Sequence, residues 1–396
     1  MNQLTGGKPQ IVRHFNKAAI LNLIRSRQPI SRIELSRLAD LNKSTVSSIV
    51  ADLLDEKIVY ESDVGSSTGG RRPVLLNLND SDYGVGVIEF GSEYTYLAIS
   101  DLDAGIQERD RLTMELVEPA SFINHCVAKL KRLRDLSGLQ IRSIGISVPG
   151  IVHAETGRVI FSPVLQWRDV EVRDIICKAM EPDDQVHVVV ENDANACVLA
   201  ERWFGNLPDT AEMVFLSENM GAGIIANGRL LHGAGETAGQ FGHITITTDG
   251  EPCRCGDRGC WTQYASSEAT VKRYFSKHAR EFDGNIEEEF QRVLKAATVG
   301  DITAIDCFYE TGNYLGLGIS NIVKTIDPEI VVVGGLITGA WDYIYPRIRR
   351  QLQQHIFYGI KNHVQIVPCS LLERPALVGA IALVVRHIFK RYQIYA

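Results

Sequence analysis

The chain of 396 residues lacks an uncharged apolar run long enough to cross a bilayer. Its longest, Ile330 to Trp341 and Pro375 to Val385, fall short of the roughly 20 residues that a transmembrane helix requires. No membrane partner is therefore expected. The start, Met1 to Gln10, has no apolar core of the kind a secretory signal carries, which predicts a cytoplasmic protein. No unit of tens of residues repeats, so a solenoid is excluded. Composition is not extreme either: 45% hydrophobic and 22% charged residues rule out wholesale disorder, and the length predicts two or three domains. The eight cysteines, in a reducing compartment, are read as buried thiols or metal ligands and not as bridges.

Charge is unevenly spread. Residues 1–80 carry 11 basic and 8 acidic side chains, a net of +3, and the remainder carries 30 basic and 40 acidic, a net of −10. A basic head on an acidic body suits a module that approaches a polyanion while the body does something else.

Within the head, Ile20, Leu21 and Ile24 fall at helical spacing over Asn16 to Gln28, and Pro29 stops the run. Ser31 and Glu34 form an S-x-x-E capping box that opens a second, short helix with Ile33, Leu35 and Leu38 as its expected apolar face. After Leu41-Asn42, the stripe Val46, Ile49, Val50, Leu53 and Leu54 predicts a third helix buried on one side. Its polar N-terminal side carries Lys43, Ser44, Thr45, Ser47 and Ser48, the donors a recognition helix presents to a major groove. Ile58 to Glu61 and Val74 to Leu78 then read as strands joined by a glycine-rich segment ending in Arg71 and Arg72, which suits a wing reaching phosphate or a narrow minor groove. The expectation is an N-terminal winged helix-turn-helix, mainly α with a β-wing, over residues 1–80. The competing reading is a helical cap with a surface hairpin that binds an acidic protein.

From Tyr83 onward, apolar strands alternate with helical segments, which predicts a two-lobed α/β body of doubly wound or ribonuclease-H-like order. The lobes are expected over 81–190 and 191–396, with the strand at Val186 to Glu191 assigned to the second and the C-terminal helix able to return to the first. The cleft between lobes is the default ligand site.

The segment His243-x9-Cys253-x-Cys255-x4-Cys260 gathers one imidazole and three thiols, a donor set and spacing that suit a structural Zn²⁺ in a closed tetrahedral shell. Gly256 and Gly259 let so short a loop turn. The other nine histidines have no comparable company and receive no role, and the remaining cysteines read as core.

Together, Ser147-Val-Pro-Gly150, Glu191-Asn-Asp-Ala-Asn-Ala196 and the cysteine loop with Gly242-His243 upstream resemble the ROK family of repressors, open reading frames and kinases. Pro29-Ile-Ser-Arg-Ile-Glu-Leu-Ser36 and Gly69-Gly-Arg-Arg-Pro73 are similar to its repressor branch, which includes xylose and N-acetylglucosamine repressors. The resemblance implies an actin-like sugar kinase fold, a carbohydrate effector, a double-stranded DNA operator and a homodimer or homotetramer. It also implies an effector shell at Asn192, Asp193 and His243, with Gln240 and Thr262 standing where the family usually has glutamates and Val164 where it has asparagine. Those exchanges leave open a different sugar, weak binding, or a pocket that no longer senses.

In the family's kinases an Asp-x-Gly-Gly-Thr turn cradles ATP phosphate, whereas this chain has Glu89-Phe-Gly-Ser-Glu-Tyr94, bulky and negative where an anion would sit. The expectation is a sugar-responsive transcriptional regulator, most simply a repressor, without enzymatic activity. The alternative is an ATP-dependent sugar kinase with an appended DNA-binding head.

Overall fold

A computed structural model of the chain describes residues 9–62, 74–78, 83–114, 117–180, 186–208, 210–280, 282, 284–355, 364–371 and 373–390. The chain divides into two compact units. One comprises residues up to 146, 171–190 and those from 380 onward, and the other comprises 147–170 and 191–379. None of the described helices is long and apolar enough to cross a membrane.

The first unit opens with α1 (Pro9–Arg27), β1 (Ile30–Ser31), α2 (Arg32–Leu38), α3 (Lys43–Asp55), β2 (Val59–Ser62) and β3 (Leu75–Leu78). Helix α1 starts earlier than its apolar stripe suggests, because Pro9 at the first helical position lacks only an N–H that would have had no partner. Ile20, Leu21 and Ile24 are buried, as are Val46, Ile49, Val50 and Leu53 of α3. The capping box closes: the Ser31 side chain accepts from Glu34 N, and the Glu34 carboxylate accepts from Ser31 N at 3.0 Å. The expected apolar face of α2 is not a face. Leu35 is buried, but Ile33 and Leu38 are 63% and 47% exposed: Ile33, two residues from Leu35, points to another side of the helix, and Leu38, in phase with Leu35, is the last residue of α2. The sheet has order β1-β3-β2, all antiparallel, so the hairpin gains a third strand that the two residues after Pro29 were too short to announce. Residues 63–73, with Arg71 and Arg72, lie outside the described residues.

The unit continues with β4 (Gly84–Phe90), β5 (Tyr94–Ser100), β6 (Ile106–Thr113), α4 (Pro119–Ser137) and β7 (Ile141–Val148). After an excursion through β8 (Ile151–His153), β9 (Arg158–Ser162) and β10 (Trp167–Val170), which form their own small sheet, come α5 (Val172–Ala179) and β11 (His187–Asn192). The five-stranded order is β11-β7-β4-β5-β6. Strand β11, expected in the second lobe, is therefore an edge of this first sheet. Strand β6 is the other edge; its Gln-Glu-Arg-Asp-Arg run has no apolar period, as suits a half-exposed edge protected by charge. Gly86 lets Leu130 of α4 approach the sheet.

The second unit contains α6 (Asp193–Phe204), β12 (Met213–Leu216), β13 (Ala222–Ala226), β14 (Arg229–Leu230), α7 (Thr262–Ala265), α8 (Ser267–Lys277), α9 (Ile286–Thr298), α10 (Ile302–Ile326), β15 (Ile330–Val333), α11 (Trp341–His355) and β16 (Gln365–Pro368), and α12 (Pro375–Lys390) leaves it. Its five-stranded order is β14-β13-β12-β15-β16, with β12, β15 and β16 parallel. Trp261, Phe290, Phe308, Leu315 and Ile319 pack into the core against this sheet.

Candidate functional site

The junction of β11 and α6 organises the first group. Asn192 caps α6 by accepting from Asn195 N at 3.1 Å, and its side-chain amide donates to the Gly150 carbonyl and to Asp193 Oδ1, each at 2.9 Å. The same Asp193 oxygen accepts from Ala194 N. Gly150, at φ +137°, carries no Cβ because one would meet the Phe161 carbonyl and the backbone of Ser162. Ser162 in turn donates to the Pro149 carbonyl at 2.5 Å. Hydrogen bonding thus joins three sequence-distant segments, Ser147 to Gly150, Ser162 to Val164 and Glu191 to Ala196, around the Asn192 amide and the Asp193 carboxylate.

Next to them lies a pair, one buried carboxylate and one half-buried imidazole, that the sequence reading missed. Glu191, 2% exposed, accepts from Asn192 N and Asn195 Nδ2 through one oxygen and meets His232 Nε2 at 2.7 Å through the other. His232 had been given no role. Its partner lies 41 residues away, so no local spacing could reveal the pair; the one hint was a glutamate at a buried strand end, which must find a partner.

The second group is the cysteine loop. Ile246 N donates to Gly259 O and Trp261 N to Ile244 O, each at 2.9 Å, and this pairing lays His243 beside Cys260. Cys253 N donates to Asp257 O, and Gly256 N donates back to Cys253 O. Gly256 and Gly259 have φ of +99° and +72°, and a Cβ on Gly259 would strike the Thr247 carbonyl. Trp261, 1% exposed, anchors the loop and donates to Tyr314 O. Ligand atoms of His243, Cys253, Cys255 and Cys260 all lie within 4.8 Å of one another. Burial and the neighbouring thiols push Cys260 up to about 12, while burial holds His243 below its ordinary value, in the neutral form a cation needs. Three thiols and an imidazole converging in this way are chemically suited to one soft or borderline cation.

Gln240 immediately precedes the single turn Phe241–His243, and Thr262 opens α7, 8% exposed. Both sit on segments flanking the cysteine loop. Hydrogen bonds thus tie Asn192 to Asp193, and His243 lies with the cysteines.

On α3, Asn42 caps the helix by accepting from Thr45 N and from the Ser44 hydroxyl, both at 2.8 Å. Lys43, Ser44, Ser47 and Ser48 are exposed and Thr45 is half-buried. Ser48 is already engaged: its hydroxyl accepts from Arg13 of α1, which also pairs with Asp52 at 2.6 Å. Arg13 was not among the expected contacts.

The xylose repressor of Bacillus subtilis (strain 168) is 31% identical over 386 residues, covering 95% of this chain and 96% of the repressor. A crystallised ROK family transcriptional regulator, described as a homologue of the Escherichia coli Mlc protein, superimposes with a TM-score of 0.82 at 26% identity, covering 96% of this chain and 97% of that one. The ROK family glucokinase of Streptomyces griseus, solved with glucose and AMPPNP, has a TM-score of 0.66 at 26% identity and covers 76% of this chain but 98% of its own. The body is thus an actin-like α/β domain of the sugar kinase type. The ROK family model matches residues 85–387, and the chain belongs to the ROK family.

Proposed function

We propose that this chain is a sugar-responsive transcriptional repressor. The observation that carries the reading is the likeness to the xylose repressor along 95% of the chain, which reaches beyond residues 85–387 matched by the family model into the helical head. Residues 1–80 act as a winged helix-turn-helix on double-stranded operator DNA, with Lys43, Ser44, Thr45, Ser47 and Ser48 facing the groove and Arg71 and Arg72 on the wing. A regulator of this kind works in the cytoplasm, where its operator lies, and as a homodimer or homotetramer that spans paired half-sites.

Asn192 and Asp193 read a carbohydrate effector, with Gln240, His243 and Thr262 as further contacts. His243, Cys253, Cys255 and Cys260 hold a structural Zn²⁺. Held by these four residues, zinc would supply a structural cross-link of the loop, and the chain's own donors supply the rest of the loop's order. Repression is relieved by linkage: if effector and operator prefer different arrangements of the oligomer, each lowers the affinity of the other.

The test is an anisotropy titration of a fragment of the chain's own promoter at several salt concentrations, with and without a panel of sugars. A steep salt slope and loss of affinity with one sugar are expected. Salt-independent binding, or no binding at all, would overturn the reading. The glucokinase likeness favours a second reading, a kinase with an appended head. Against it stand Phe90, buried, and Glu93 and Tyr94 where phosphate would sit, with Arg111 over the Tyr94 ring at 4.5 Å. ATP-dependent turnover of any sugar, lost in Asp193→Asn, would favour the kinase.

A further inference from the structure

Strands β12 and β15 run parallel and in register, Leu216 beside Val333, so both end on the same side of the sheet. Outside such carboxyl ends is where open α/β sheets take their ligands. Here β12 runs into Ser217-Glu218 and β15 into Gly334-Gly335. The place is filled from within. Glu218 Oε2 accepts from Leu336 N at 2.6 Å, and its Oε1 accepts from Ser267 N at 3.2 Å, the first residue of the eleven-residue helix α8.

These N–H groups come from segments 49 and 118 residues away and converge on one carboxylate. Gly335, at φ +87°, lies against it; a Cβ there would collide with Glu218 Oε2 and come within 3.0 Å of its Cα. The turn after β15 therefore closes down on Glu218. Burial pushes this carboxyl up and neighbouring Glu268 adds to the rise, while the hydrogen bonds from Ser267 and Leu336 oppose it by favouring the charged form.

We propose that Glu218 is an internal anion standing where a ligand phosphate would otherwise bind, closing this end of the β12–β15 sheet to phosphate-bearing nucleotides. Carboxylate and phosphate oxygens make the same demand on converging backbone N–H groups. A nucleotide phosphate brought here would find its donors taken and a like charge in its place. The inference deepens the reading of the body as a receptor that does not phosphorylate, and its test needs neither DNA nor sugar, so its failure leaves the operator test untouched.

The full chain and its Glu218→Gly and Glu218→Gln variants are melted against increasing inorganic pyrophosphate at constant ionic strength. The wild type should be indifferent to pyrophosphate. Glu218→Gly, with its donors uncovered, should melt lower and regain stability in a saturable way as pyrophosphate rises. Glu218→Gln, which fills the space, should melt lower without recovery. Equal response of wild type and Glu218→Gly, or no recovery of Glu218→Gly, would overturn the proposal. Should Glu218→Gly not fold, amide exchange in the wild type decides: the Ser267 and Leu336 amides should exchange slowly, and fast exchange at both would overturn it.

Discussion

His232 meets the buried carboxylate of Glu191 at 2.7 Å, while the other oxygen of that carboxylate holds Asn192 N and Asn195 Nδ2. One buried side chain thus fixes both the end of β11 and the loop that follows β14. Removing it leaves an imidazole and an amide without their acceptor, and each group so stranded costs about 1–3 kcal/mol. Glu191→Ala should therefore lower unfolding stability by at least that amount in denaturant titration. It should also weaken the effector, because Asn192 and Asp193 are aimed by the same junction. A variant with unchanged stability would show that Glu191 does not hold the junction together.

Removal of metal offers a second check. Cys255→Ser or Cys260→Ser takes one thiolate from a four-donor shell, and a closed structural zinc site does not tolerate such a loss. Purified variants should contain much less zinc than wild type by elemental analysis. Operator binding should persist while its response to sugar is lost. Full zinc content together with a normal sugar response in both variants would exclude this assignment.

The proposed DNA-binding residues carry a quantitative prediction. If Lys43, Arg71 and Arg72 each contact one phosphate, Lys43→Ala, Arg71→Ala and Arg72→Ala should each reduce the slope of log affinity against log salt by about one. Arg13→Ala should behave differently. Arg13 holds Ser48 and Asp52 on α3, so its loss should unsettle the helix and alter affinity with little change in slope. If Lys43→Ala, Arg71→Ala and Arg72→Ala all gave the wild-type slope, the contacts would have been misplaced.

Much of this was legible because the relevant signals are local. The capping box at Ser31 and Glu34, the stripe on α3 and the strand read at Ile58 to Glu61 and found at Val59–Ser62 each depend on residues within a turn or two. The His243 and cysteine spacing was equally readable, since all four donors lie within eighteen residues. Edge strands were not: β6 shows no apolar period, and β11 looks the same from sequence whichever sheet it joins. The Glu191–His232 pair and the bond from Glu218 to Leu336 were hidden for another reason. Their partners lie 41 and 118 residues away in sequence and meet only in the folded chain, as the pairing of β12 with β15 brings Leu336 to Glu218. Ile33 misled because hydrophobicity was counted without testing helical phase, and Leu38 because it stands at the helix end.

The capping box also sets a pH dependence. Hydrogen bonds from the Ser31 backbone and hydroxyl hold Glu34 below its ordinary value near 4.5. A carboxylate whose folded value is depressed adds stability that is fully present above the unfolded value. That stability is lost as pH falls through the folded value. The head should thus be insensitive to this group at neutral pH and weaken only in acid below about pH 4.5. Glu34→Gln should flatten that acid limb while leaving neutral stability close to wild type, because Glu34 is exposed and its gain is screened by water. Ser31→Ala, which removes the cap, should cost about 1 kcal/mol at any pH where the helix is folded. Circular dichroism melts between pH 3 and 7 would separate the two, and an acid limb unchanged in Glu34→Gln would place its origin in another carboxylate.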